Sequence, residues 1–164
     1  MQIASFKDMY LAEISELVSV EQQLSEALTR MADATSHPSL KNAFEHHRKQ
    51  TLAQKQRLHT ILEKHGAASP PHTDQGLLAL VKETDKMIGI LNGDDLRDAG
   101  LLASAQKLEH YEIAAYGSAA ALAGQLDFRD DQRLLHESLE EEKQTDRRLT
   151  ELAKGEINQD AVAA

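Results

Sequence analysis

The sequence predicts an all-α protein built on four long helices, and three observations carry that expectation. Only three prolines, eight glycines and 4% aromatic residues interrupt a chain rich in Ala, Leu, Glu, Gln and Lys, side chains that lose little rotamer freedom in a helix. Apolar residues recur at alternating steps of three and four, the period of one helix face, and not at the step of two that marks a half-buried strand. The helix breakers are concentrated at a few places, so the stretches between them are long. At 164 residues and 41% hydrophobic content, a single domain with one contiguous core is expected.

The first helix opens at Ser5, with Asp8 three residues on in the manner of a capping box. Tyr10, Ile14, Leu17, Glu21, Leu24, Leu28 and Met31 trace its inner stripe. Thr35-Ser36-His37-Pro38-Ser39 breaks it, because Ser offers a cap and Pro fits only the first turn of a following helix. A second helix runs from about Pro38 to His65 and is stopped by Gly66. Gly66 to Asp74 is a linker with paired prolines and a Thr-Asp cap, and a shorter third helix follows from Gln75 to about Leu91. Asn92-Gly93 ends that helix, Asp94 or Asp95 caps the fourth, and the fourth extends to about Gly124. Asp127 is positioned to cap the fifth, which reaches Lys154 before Gly155. Glu156 to Ala164 has no strong periodicity and is expected to be a frayed, flexible tail, leaving residues 1–155 as the folded unit. Two antiparallel hairpins, helices one with two and four with five, joined by the proline-rich crossover and the short third helix, make the ferritin-like variant of the four-helix bundle.

The formal charge of −9 argues against nucleic acid or an anionic membrane as partner, since both attract basic surface. Metal cations suit it better. The absence of cysteine excludes a disulfide framework and thiolate metal sites. With no signal pattern and no apolar stretch of spanning length, a cytoplasmic location is expected.

Polar residues on the inner stripes are the functional signal. Glu21 interrupts an apolar run at mid-helix, and on the fourth helix Leu102, Ala105, Glu109, Glu112, Tyr116, Ala119 and Ala123 put two glutamates on one stripe. The fifth contributes Leu135, Leu139, Glu142, Asp146 and Leu149. The second contributes Leu40, Ala43, His47, Gln50 or Thr51, Gln54, Leu58 and Ile61. Antiparallel neighbours share a level when equally far from their turn. Counted from Ser36 and Asp127, Glu21 lies about 15 residues in, His47 about 11, Gln50 about 14, and Glu112 and Glu142 about 15 each. Taken singly, each of these residues reads as a solvated or hydrogen-bonded core polar group. Together they converge on one layer, where several carboxylates repel unless protonated, hydrated or bridged by cations. Carboxylates with imidazole suit iron or manganese. The usual di-iron bundle takes a Glu from two helices and Glu-x-x-His from the other two, and no Glu-x-x-His occurs in this chain.

The remaining histidines read as solvated: His46 and His59 fall off the stripe, His37, His65 and His72 sit near helix ends, and His110 and His136 face a groove or another subunit. Tyr111 and Tyr116 lie beside the acidic stripe, where either could hydrogen-bond a ligand carboxylate. The small-residue run Ala114 to Ala121 serves either core packing or a dimer seam.

From Tyr10 to Ala153 the chain resembles the YciF-like family of bacterial stress-associated proteins, within the ferritin-like superfamily and similar in fold to rubrerythrin. The segments that carry the resemblance are Ala105-Gln106-Lys107-Leu108-Glu109-His110-Tyr111-Glu112-Ile113-Ala114-Ala115-Tyr116-Gly117, Leu139-Glu140-Glu141-Glu142-Lys143 followed by Thr145-Asp146, Glu21-Gln22-Gln23-Leu24 leading to Ala27-Leu28, Arg97-Asp98-Ala99, and His47 followed by Thr51. The resemblance implies a five-helix bundle, a homodimer, induction under stress and a metal site, without implying a reaction. The family often has Glu where this chain has Gln50, so one anionic ligand is replaced by a neutral amide.

The leading expectation is a di-metal carboxylate protein, handling iron or reducing peroxide or O₂. Glu21, Glu112 and Glu142 bridge or chelate two iron or manganese ions in that reading, His47 binds terminally, and Glu109 completes the set with Gln50, Tyr116 and Asp146 in support. The alternative is a non-enzymatic helical dimer, a stress-response interaction protein whose acidic layer is a hydrated polar core. Phosphotransfer through an exposed histidine has no supporting motif, and nothing in the chain indicates the symmetric interfaces of a storage cage.

Overall fold

The computed structural model describes residues 3–68 and 70–164, and every element among them is helical. In chain order they are α1 (Phe6–Ala34), α2 (Pro38–Lys64), α3 (Gln75–Ile90), α4 (Asp94–Gln125), α5 (Arg129–Leu152), a π-helical turn (Ala153–Ile157) and α6 (Asn158–Ala163). No helix among the described residues is long and apolar enough to cross a membrane.

The ends of the helices follow local chemistry, with some substitutions of partner. Ser5 Oγ accepts from the Asp8 N–H at 3.0 Å, and the Asp8 carboxylate accepts from the Ala4 N–H at 3.2 Å, so α1 begins with a variant of the capping box. At the α1–α2 turn it is Asp98 of α4, not a local serine, that supplies the cap. Its carboxylate accepts from Thr35 Oγ1 (2.8 Å) and from the N–H groups of Ser36 (3.0 Å) and His37 (2.8 Å). Asp74 caps α3 by accepting from the Leu77 N–H at 2.6 Å. Asp94 and Asp95 lie inside the first turn of α4, preceded by Gly93 at φ +97°, where their charge complements the helix dipole. Asp127 does not cap α5: it takes the left-handed conformation at φ 57° in the turn itself, and Phe128 holds the cap position.

The expectation of a frayed tail from Glu156 onward is corrected. The chain passes Gly155 through the π-helical turn and stays helical to Ala163, and Ile157 is 1% exposed in the core. Beyond Gly155 only Ile157 is fully buried, too little for a periodic signal, and a π-turn shifts the helical phase that such a signal would need.

α1 packs along α2 and α4 along α5, while α3 lies across α1 and α4. Tyr10 at the start of α1, His65 just past the end of α2 and Asp131 at the start of α5 meet at one end of the bundle, which fixes α2 antiparallel to both α1 and α5. The core is not one continuous cluster. Leu24, Leu28, Met31, Leu40, Phe44, Leu101 and Leu149 form one apolar body, and Tyr10, Ile14, Leu58, Ile61, Tyr116 and Leu135 form another. Glu21, His47, Thr51, Gln54, Glu109, Glu112 and Glu142, all 0–1% exposed, are the buried polar residues of the bundle's middle.

Candidate metal centre

All four long helices supply that layer. Glu21 comes from α1, His47 from α2, Glu109 and Glu112 from successive turns of α4, and Glu142 from α5. One ligand atom each of His47, Glu109, Glu112 and Glu142 lies within 4.8 Å of the others, a span close to the roughly 4 Å that separates opposite ligands of a small cation. His47 Nε2 stands 3.1 Å from Glu109 Oε1, 3.5 Å from Glu142 Oε2 and 3.8 Å from Glu112 Oε2. None of the three has hydrogen-bond geometry, but each is an ion pair when the imidazole is protonated. Both ring nitrogens of His47, both oxygens of Glu112, and one oxygen each of Glu21, Glu109 and Glu142 are buried without a hydrogen-bond partner. Buried polar atoms are nearly always paired, so carboxylate oxygens and an imidazole left without hydrogen bonds around one point are what a cation would satisfy. His47, Glu109, Glu112 and Glu142 therefore form a buried group that could hold a metal ion.

Glu21 is 0% exposed and shares the layer, but it stands outside the four-residue group. One of its oxygens accepts from the Tyr116 hydroxyl and the other is free. Gln50 lies outside the group as well; it is half-buried, with its carbonyl oxygen unpartnered. Asp146 turns away from the layer and pairs with His110 Nε2 at 3.2 Å on the surface side of α4. Tyr116 sits at the layer as expected, whereas Tyr111 leaves it and donates to Asp74 at the head of α3.

Sequence reasoning assigns Gln54 no role, although seven residues beyond His47 places it on the same helix face. Gln54 is fully buried and donates to Glu142 Oε1 and, at 2.9 Å, to Glu141 Oε2. Arg57 grips Glu141 with both arms, at 2.6 and 2.9 Å. Glu142 is thereby tied to the surface through Gln54, Glu141 and Arg57. His65 departs from expectation too. It is not solvated but buried against Asp131 at 2.6 Å, with its ring packed on Tyr10 and Phe128.

Burial raises the carboxyl pKa of Glu21 well above the usual range, the adjacent Glu112 raising it further and the Tyr116 hydrogen bond opposing. Burial and then Glu142 do the same to Glu112. Burial also lifts Glu142, against the attraction of His47. For His47, burial acts downward, but the charges of Glu109 and Glu142 outweigh it and hold the imidazole well above its usual value. For the three carboxyls the shared cause is burial, with neighbouring carboxylates adding to it, the condition a bound cation relieves.

Residues 5–162 match the family described as a domain of unknown function, DUF892. Protein YciF of Escherichia coli (strain K12) is 38% identical over 162 residues, 98% of each chain. The crystal structure of the E. coli stress protein YciF superposes with a TM-score of 0.91 over 95% of this chain and 99% of that one. YcfI from Rhodopseudomonas palustris, 31% identical, gives a TM-score of 0.87 over 91% of this chain and 95% of that one. A protein from Xanthomonas campestris pv. campestris, 17% identical, gives 0.79 over 98% and 97% and shares the fold alone. A full-length match in sequence and a closely superposing bundle lead to one conclusion: the chain belongs to the DUF892 family and is a relative of the stress protein YciF.

Proposed function

We propose that this protein binds a hard divalent cation, iron or manganese, at His47, Glu109, Glu112 and Glu142, and serves in iron handling or in the removal of peroxide or O₂. The observation that carries the reading is the set of unpartnered, fully buried acceptor atoms on those residues. Three carboxylates facing one imidazole leave an excess of negative charge, and a dication restores the balance inside a low-dielectric layer. Glu142 offers the oxygen that Gln54 does not engage. Glu21 and the second oxygen of Glu112 are the donors available to a second ion, with fewer protein ligands and weaker retention than the first. A bound iron would supply one-electron chemistry; the chain's own part is to orient the carboxylates and exclude water.

The second reading, a stress-response helical protein without metal, is favoured by one observation. Tyr116 and Gln54 already satisfy one oxygen each of Glu21 and Glu142, so a layer of protonated carboxylates is partly self-supporting.

Equilibrium dialysis against Fe(II) without oxygen, and against Mn(II), separates the two. About one tightly held ion per chain is expected, lost in Glu142→Ala. At a hundredfold excess over Kd, linkage adds about 2.7 kcal/mol, which raises Tm by roughly 5–10 °C for a chain of this size. No measurable metal, with a Tm indifferent to chelator, establishes the second reading instead.

A further inference from the structure

The centre is sealed, since His47, Glu109, Glu112 and Glu142 are each 0–1% exposed. Anything that reacts there needs a way in. Between α2 and α5 lies a cavity of about 200 Å³ lined by Ala43, His46, Gln50, Gln144, Thr145 and Arg148. A second cavity of about 230 Å³ shares Ala43, His46 and Arg148 and carries the opening outward to Ser39 and Asn42. Gln50 and Thr145 each follow a residue of the centre, His47 and Glu142, by three positions, which puts them one turn along the same helix faces. The floor of the cavity thus lies one helical turn from His47 on α2 and from Glu142 on α5.

Gln50 is the longer of these two floor side chains, and among the described residues nothing tethers it. Its carbonyl oxygen is buried without a partner, and its amide nitrogen makes no hydrogen bond among the described residues. Rotating it breaks no hydrogen bond, unlike Gln54 on the same helix, which is held by two carboxylates. The walls also select by charge. Arg148, with 59% of its side chain exposed and Glu151 3.5 Å away, stands with His46 at the mouth, and among the described residues no carboxylate lines either cavity. Cations are disfavoured at the mouth, and the carboxylates behind the floor repel anions. An uncharged molecule a few atoms in size meets neither barrier.

We propose that the α2–α5 cavity is the entrance by which a small uncharged oxygen compound, of the class of O₂, nitric oxide or hydrogen peroxide, reaches the centre, with the Gln50 side chain as its gate. This rests on the metal reading above, adds to it the route and the gating side chain, and is tested with nitric oxide as an uncharged probe. Iron content is measured first on anaerobically loaded protein; the rate of nitric oxide binding is then followed in stopped flow by the optical band of the iron–nitric oxide complex. Ala43→Phe, which fills the cavity, is expected to slow binding roughly tenfold, and Gln50→Ala, which removes the gate, to speed it severalfold, at unchanged iron content. Thr145→Leu narrows the same floor from α5 and serves where Ala43→Phe fails to fold. Normal iron content with nitric oxide rates equal to wild type in the gate and filling variants overturns the entrance alone. Failure of the wild-type protein to take up iron overturns the reading of the centre as an iron site, and the entrance with it.

Discussion

Glu112 is the residue on which the centre turns, because it is fully buried and both its oxygens are unpartnered. In the absence of a cation its charge costs stability; in the presence of one it is a ligand. Glu112→Gln keeps the shape, removes the charge and adds a donor facing Glu142 and Glu109. The variant is expected to be more stable than wild type in chelator, by about 1–3 kcal/mol, and to lose most of the stabilisation that Fe(II) or Mn(II) brings. Paired melts with chelator and with metal read both signs, and a variant less stable than wild type in chelator excludes the repulsive layer. The sequence made His47, Glu109, Glu112 and Glu142 legible, because an ionisable residue repeated at helical spacing on an apolar stripe is costly to bury without something to bind it. It left Asp146 ambiguous. Four residues past Glu142 advances the helix by slightly more than a turn, enough to swing Asp146 toward His110. His65 was illegible for another reason: its partner Asp131 is 66 positions away, and no local pattern reports so distant a contact.

At the scale of elements, two buried aspartates fasten the bundle at opposite ends. Asp98 closes the α1–α2 turn, and Asp131, in the first turn of α5, receives Tyr10 of α1 at 3.1 Å, Lys64 of α2 at 2.9 Å and His65 at 2.6 Å. Burial alone would raise the Asp131 pKa, but the bonds from Lys64 and His65 outweigh it and hold the carboxyl below its ordinary value of 3.8. A carboxyl depressed in the folded state contributes stability above its unfolded pKa and loses it as pH falls through the folded one. Asp131→Asn is therefore expected to cost about 1–3 kcal/mol at neutral pH, with the difference from wild type still present at pH 5 and shrinking below about pH 4. Urea titrations at several pH values check it; a difference that persists undiminished at pH 3 shows the clamp to act by shape and not by charge. The long helices themselves were plain in the sequence, since Pro38, Gly66 and Gly93 mark their limits by what their backbones forbid or allow. The caps were less so, because a cap from another helix, such as Asp98, leaves no trace beside the turn it closes.

At the scale of the whole molecule, a charged layer divides an apolar core, and the protein's response to pH follows from that division. Glu21, Glu112 and Glu142 all have folded pKa values raised above the ordinary 4.5, with burial as the first cause of each. A raised pKa contributes stability in full below the unfolded value and loses it as pH climbs through the folded value. Chelated protein is accordingly expected to melt highest in mildly acidic buffer and to lose stability from about pH 5 toward pH 8. Metal-loaded protein follows the opposite rule, because protons and cation compete for the same oxygens, so the increment from metal grows over the same interval. Calorimetry of both forms across that range is expected to give two curves that separate as pH rises. Glu112→Gln isolates the layer's share: it flattens the chelated curve only if the buried carboxylates set the slope. Parallel curves for the two forms mean that the layer does not exchange protons for a cation, and that the divided core is held by its hydrogen bonds to Gln54 and Tyr116 alone.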